Sequence, residues 1–294
     1  MKSYIVLPQK IKNQIESKII WLTGCARSGT TIIGNILGSM KGVEYFFEPE
    51  SLKSIFFIKD KMDIKSWSLL FETYLYRDLI NNSLNNRKVN LNEKDDSYIF
   101  KIKDKKSFNK KFENKFDLVK LNKKNKFFFT KIIIKLPDVT SEVIQLKKIY
   151  PNFKIIFVDR NPLEIINSLV KKKWFTSQIS RLHPIIKKGS KFYPYWLDNK
   201  QYKLWDKMNI YERSAIYTIK VREIIKKNKK IIVINYNDLV ENPSKVIKKI
   251  EKKLNLKKTK KTLQLFKSLR RRTENLSWIE RQIRPEIFRK LIKI

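Results

Sequence analysis

The stretch "GCARSGTT", residues 24–31, decides how this chain is read. A phosphate-binding loop follows the pattern G-x-x-x-x-G-K-[ST], in which the lysine reaches the terminal phosphates and the next hydroxyl holds a magnesium ion. Here Gly24, Gly29 and Thr31 keep that spacing, Thr30 stands where the lysine belongs, and Arg27 places a cation inside the loop. Upstream, residues 18–23 form a short apolar run that reads as a buried strand entering a turn. Downstream, residues 30–40 carry Ile32, Ile33, Ile36 and Leu37 at helical spacing. Strand, loop and helix in this order turn backbone N–H groups and a helix N-terminus toward an anion. The expected ligand is a phosphate or sulfate ester held by residues 26–31 (Ala26, Arg27, Ser28, Gly29, Thr30 and Thr31). Arg27 adds a permanent charge with a planar fork suited to oxyanions.

Working outward, strands are predicted at 130–136, 153–158 and 230–235, with helices at 140–149 and 210–227. Strands separated by helices at this rhythm imply an α/β fold, a P-loop-type three-layer α/β/α arrangement around a central parallel sheet, with ligands at the carboxyl ends of the strands. Between residues 51 and 129 the chain is rich in Lys, Asn, Phe and Tyr and has no Gly or Pro. It reads as a basic insert of helices and loops on the acceptor side of the site, within a single domain spanning residues 1–294.

Composition narrows the function further. With one cysteine, Cys25, and one histidine, His183, an internal disulfide and a Cys- or His-based metal centre are both disfavoured, and no metal is expected. No apolar run approaches the roughly 20 residues of a membrane span, and the first twelve residues lack the pattern of a secretory leader. A cytoplasmic protein without a transmembrane segment is expected. The formal charge of +38, from 66 basic against 28 acidic residues, has two readings: a polyanionic partner, or a compositional bias in a chain full of Lys, Asn and Ile with only six glycines. The lysines are spread through every segment, which weakens a nucleic-acid reading and leaves peripheral contact with an anionic membrane open.

Two further stretches carry chemistry. "FVDRNPLEIINSL", residues 157–169, begins as a strand, turns at Asn161-Pro162 and continues as a helix, with Pro162 in the first turn. Arg160 and Ser168 lie within reach of one anion over that turn. Alternatively Arg160 pairs with a carboxylate, and Asp159 resembles the aspartate that helps hold magnesium in nucleotide hydrolases. In "YFFEPE", residues 45–50, a glutamate between aromatic rings and Pro49 is suited to accept a proton if partly desolvated, and is otherwise a solvated or capping residue.

"GCARSGTTIIGNIL" together with "FVDRNPLEIINSL" resembles the 5′- and 3′-phosphate motifs of sulfotransferases that use 3′-phosphoadenosine 5′-phosphosulfate (PAPS). "LKKIYPNFKIIFVDRNP" is similar to that family's helix, strand and arginine motif. Residues 234–256, "INYNDLVENPSKVIKKIEKKLNL", are similar to its late segment, which usually has Glu where Asn237 stands. The arginine-type loop and "FFEP" look most like the carbohydrate and tyrosylprotein branches. The resemblance implies PAPS as co-substrate with no metal required, and a hydroxyl acceptor of the carbohydrate class. It implies Glu48 as catalytic base with Glu50 in reserve, and Arg27 at the leaving oxygen. Thr30 and Thr31 would lie on the 5′-phosphate, Arg160 and Ser168 on the 3′-phosphate, and Lys135 against donor or acceptor. His183 falls where the family has no catalytic histidine, and no adenine-stacking residue is assigned, Trp174 and Trp278 being guesses. The competing readings are a P-loop kinase or NTPase, which needs the missing lysine, and a nucleic-acid-binding module built on basic residues 101–126.

Overall fold

The computed structural model describes residues 5–82, 89–105, 131–137, 139–176, 185–228, 230–269 and 275–294. An antiparallel hairpin, β5 (Ile185–Lys188) and β6 (Lys191–Pro194), stands apart from a central sheet of β1 (Ile19–Gly24), β2 (Val43–Phe47), β3 (Lys131–Lys135), β4 (Lys154–Asp159) and β7 (Ile232–Asn235). The five sheet strands are parallel and lie in the order β2-β3-β1-β4-β7. Parallel pairing requires crossovers, and these are helical: α1 (Gln9–Lys18) leads into β1, α2 (Thr30–Gly38) follows it, α3 (Glu50–Phe57) and α4 (Ile64–Thr73) follow β2, α5 (Thr140–Gln145) follows β3, and α6 (Pro162–Lys171) and α7 (Ile210–Lys226) connect β4 to β7. After β7 come α8 (Tyr236–Glu241) and α9 (Pro243–Leu254). This is the expected α/β class.

Side-chain alternation along β1 divides the core between the two faces of the sheet. Ile19 and Trp21 enter a cluster with Phe56, Trp67, Phe71 and Phe153, whereas Ile20 and Leu22 pack with Ile33, Ile36 and Leu37 of α2 and Ile247 and Ile250 of α9. Trp21, Trp67 and Phe71 are stacked, with centroids 6.1 Å apart for Trp21–Phe71 and 4.9 Å for Trp67–Phe71. Each such buried ring contributes about 1.5–3 kcal/mol. A third cluster, around Phe157, Ile165, Trp205 and Tyr217, joins α6, α7 and the hairpin.

The predicted elements are found with trimmed ends. The helix expected at 140–149 is α-helical to Gln145 and finishes as a 3-10 turn, Leu146–Lys148. β2 and the hairpin were not anticipated. β2 pairs with β3 from Val43 opposite Lys131 to Phe47 opposite Lys135, so the chain reaches Glu48 as the end of an edge strand. Of the insert, residues 83–88 and 106–129 lie outside the described residues, as does His183.

α2 crosses β2 at Gly34, where a Cβ would lie 2.2 Å from the Tyr45 hydroxyl oxygen. Both sides of this contact are buried. Gly34→Ala therefore lowers stability by about 1–3 kcal/mol through overpacking, measured as a shift in the urea midpoint with an unchanged slope.

Candidate active site

Parallel strands deliver the ends of β1, β2, β3 and β4 to one side of the sheet, and a cleft of about 450 Å³ opens there. It is lined by Arg27, Thr30 and Thr31 of the loop, Glu48 after β2, Lys135 of β3, Arg160 after β4, and Ser168 of α6, together with Asn35, Phe47, Asp96 and Trp174. The loop is shaped for an anion. Arg27 has φ +70° and Gly29 φ +100°, and α2 starts at Gly29 with no side-chain cap, so its first-turn N–H groups remain for a ligand. Only glycine fits at position 29, because a Cβ there would lie 2.4 Å from the Tyr236 ring.

The two phosphate-type motifs meet directly. Arg27 Nε donates to Ser168 Oγ at 3.1 Å, and Arg160 Nη1 donates to the Arg27 carbonyl at 3.4 Å. The Arg160 guanidinium lies over the Tyr236 ring, 4.5 Å from its centroid, while its Nε donates to Glu164 at 2.5 Å. The carboxylate pairing considered from sequence is thus present, and it uses one edge of a five-donor group. Pro162 occupies the first turn of α6, and Asn161 caps it by accepting from Leu163 N at 2.9 Å.

On the opposite side, Lys135 is 2% exposed and is held between three groups. Its Nζ donates to Thr31 Oγ1 at 2.9 Å and pairs with Glu48 Oε1, and it sits 4.0 Å from the centroid of the Phe47 ring. Glu48 itself takes φ +43°, and its N–H donates to the Lys135 carbonyl at 3.1 Å, which turns the chain sharply at the end of β2. Burial holds the neighbouring Tyr45 phenol well above its usual range, reinforced by the Glu48 and Asp96 carboxylates.

Other residues singled out in the sequence have different surroundings. Ser28 is fully buried and its N–H donates to the Cys25 carbonyl at 3.0 Å, so its side chain does not line the cleft. Ala26 lines it, but its N–H donates to the Tyr217 hydroxyl at 2.8 Å. Glu50 is turned to solvent and lies 3.5 Å from Lys53. Asp159 is bound in a two-pronged pair by Arg222, at 3.1 and 3.2 Å, which leaves it poorly placed for the metal role that the kinase reading requires. Cys25 is buried, and burial pushes its thiol far up. Trp278 packs edge-on to Tyr211, 5.8 Å between centroids. Among the described residues no three His, Cys, Asp or Glu side chains gather as a metal set, and no helix is long and apolar enough to cross a membrane.

Sequence comparison decides the family. A model described as "Sulfotransferase family" matches residues 20–260. The chain belongs to the sulfotransferase family. No curated protein matches it in sequence. Among solved structures, it is similar to the sulfotransferase domain from the curacin biosynthetic pathway (16% identity, TM-score 0.47, covering 85% of this chain and 77% of that one). It is also similar to the sulfotransferase domain of a Synechococcus olefin synthase (14%, TM-score 0.46, 94% and 87%) and to a sulfotransferase from Mycobacterium avium (12%, TM-score 0.46, 88% and 69%). As a sulfotransferase, the protein is an enzyme that transfers a sulfuryl group from a sulfate donor to an acceptor.

Sequence reasoning passed over Tyr236, Asn35 and Asp96. Tyr236 carried a signal, an aromatic directly after a strand within the late family segment; the other two reach the cleft only through tertiary packing. Arg222→Leu leaves Asp159 without its cation and costs about 1.5–3 kcal/mol of stability. The double variant Arg222→Leu/Asp159→Asn recovers part of that loss, measured by a double-mutant cycle in urea.

Proposed function

We propose that this sulfotransferase uses PAPS as donor and sulfates a hydroxyl of a sugar or glycan, with Glu48 as the base. The observation that carries the reading is the convergence of Arg27, Ser168 and Arg160 at one end of the cleft with Glu48 and Lys135 beside the loop. The residues present fit the donor. The uncapped N-terminus of α2 with Thr30 and Thr31 suits a 5′-phosphate, and the free N–H groups of Arg160 with the Ser168 hydroxyl suit a 3′-phosphate.

PAPS supplies the sulfuryl group, which carries less negative charge than a terminal phosphoryl group and so does not need a divalent ion to neutralise it. Arg27 and the helix N-terminus stabilise negative charge on the oxygen that leaves toward the 5′-phosphate, fixed in place before reaction. Glu48 accepts the proton of the attacking hydroxyl. Lys135 orients Glu48, and through Thr31 it ties the base to the loop that holds the donor. The sugar acceptor follows from the resemblance of the arginine-type loop and "FFEP" to the carbohydrate branch.

Calorimetry in EDTA tests the donor. Micromolar binding of 3′-phosphoadenosine 5′-phosphate, with far weaker binding of ATP, is expected; a preference for ATP with magnesium would replace this reading with the kinase one. Arg160→Ala is expected to weaken 3′-phosphoadenosine 5′-phosphate much more than adenosine 5′-phosphate, and equal losses would remove Arg160 from the 3′-phosphate. Glu48→Gln is expected to lower kcat about 10²–10⁴-fold while leaving donor affinity close to wild type, read by single-turnover transfer alongside calorimetry.

A further inference from the structure

Two carboxylates, Glu48 and Asp96, line this cleft in a protein whose formal charge is +38. Asp96 lines the cleft together with Glu48, and both carboxylates act on the buried Tyr45 phenol, which places them near one another. Asp96 belongs to a loop held by its own side chains. Asp95 accepts from Ser97 N at 2.7 Å and from Ser97 Oγ at 2.6 Å, Asn90 Nδ2 donates to Ser97 Oγ at 2.7 Å, and Lys103 anchors the loop by donating to the Val43 carbonyl of β2 at 2.7 Å. The first of the two adjacent aspartates is thus used in folding the loop. The second, Asp96, is exposed at the rim of the cleft and pairs with the half-buried Lys101 at 3.4 Å.

A second, independent feature lies in the same cleft. Asn35, one helical turn beyond Thr31 on α2, is 8% exposed, and its Oδ1 has no hydrogen-bond partner among the described residues. A buried amide oxygen left unpaired costs stability unless a ligand satisfies it. Asn35 Oδ1 and the Asp96 carboxylate are both hydrogen-bond acceptors. A carboxylate here repels the phosphates and sulfate of the donor, so its favourable partner is the other substrate.

Resting on the sugar reading above, we infer that Asp96 and Asn35 form an acceptor subsite that takes an uncharged or amine-bearing polyhydroxylated sugar and disfavours carboxylate- or sulfate-rich glycans. The overall positive charge would suggest the opposite acceptor. Local groups decide here, because long-range charge is screened within about 8–10 Å at physiological salt whereas Asp96 meets the acceptor directly.

Sulfuryl transfer from PAPS is measured at fixed ionic strength with three probes: chitosan oligomers, N-acetylated chito-oligomers and fully desulfated, N-acetylated heparin oligomers. Wild type is expected to favour the two uronate-free probes. Asp96→Asn lowers kcat/KM for the amine-bearing probe about tenfold, and Asp96→Lys reverses the order in favour of the uronate-rich probe, each without loss of 3′-phosphoadenosine 5′-phosphate affinity. A wild-type preference for the heparin probe, or an order unchanged in both Asp96 variants, overturns the subsite while leaving sugar sulfation intact. Transfer to none of the three, with the donor product still bound tightly in EDTA, overturns the sugar reading and the subsite with it.

Discussion

The site depends on one buried ammonium. Lys135 is almost wholly excluded from water, and it is accommodated because Glu48, Thr31 and the face of Phe47 surround its Nζ. A lone buried charge is costly, and removing one partner of such a pair costs several kcal/mol, so each of these groups constrains the others. The consequence is geometric. The ends of β2 and β3 and the first turn of α2 are fastened at one point, and the left-handed turn at Glu48 is held by the backbone bond that it makes to the same lysine residue. Glu48 and the glycine-containing loop are parts of one fastened unit rather than two features that happen to face each other.

Much of the architecture could be read from the chain because it rests on local signals. The loop at Gly24–Thr31 announces itself by glycine spacing, β1 by its apolar run, and the turn into α6 by Asn161-Pro162, with Pro162 in the first turn as expected. What escaped is what tertiary packing creates. β2 is a five-residue edge strand interrupted by Glu44, too short and mixed for a periodicity argument, and its partner β3 lies far along the chain. The ambiguity at Asp159 was chemical: strand-end aspartates serve metals and arginines alike, and only the fold brings Arg222 across to choose. A serine in a phosphate loop looks like a donor, and here Ser28 is fully buried and outside the lining of the cleft, a placement that only packing decides.

Charge behaves differently at different scales in this molecule. The net excess of lysine describes the surface as a whole, whereas the cleft is organised in small neutralised groups: Arg160 with Glu164, Lys135 with Glu48, Asp159 with Arg222. Arg27 is the loop cation that meets a neutral hydroxyl, Ser168, rather than a carboxylate. The cleft of a very basic protein is thus locally balanced by paired carboxylates.

The anion loop is also finished late. Its Ala26 N–H is satisfied by Tyr217, 191 residues further along the chain, and its Gly29 turn is filled by the ring of Tyr236. Sequence separations of that size are slow to close, since the entropy of the intervening chain must be lost before the contact forms. A nascent polypeptide emerging from the ribosome therefore carries the complete loop sequence from its earliest stage without the walls that shape it. The shape of the loop is therefore an outcome of the last third of synthesis, when Tyr217 and Tyr236 have been added.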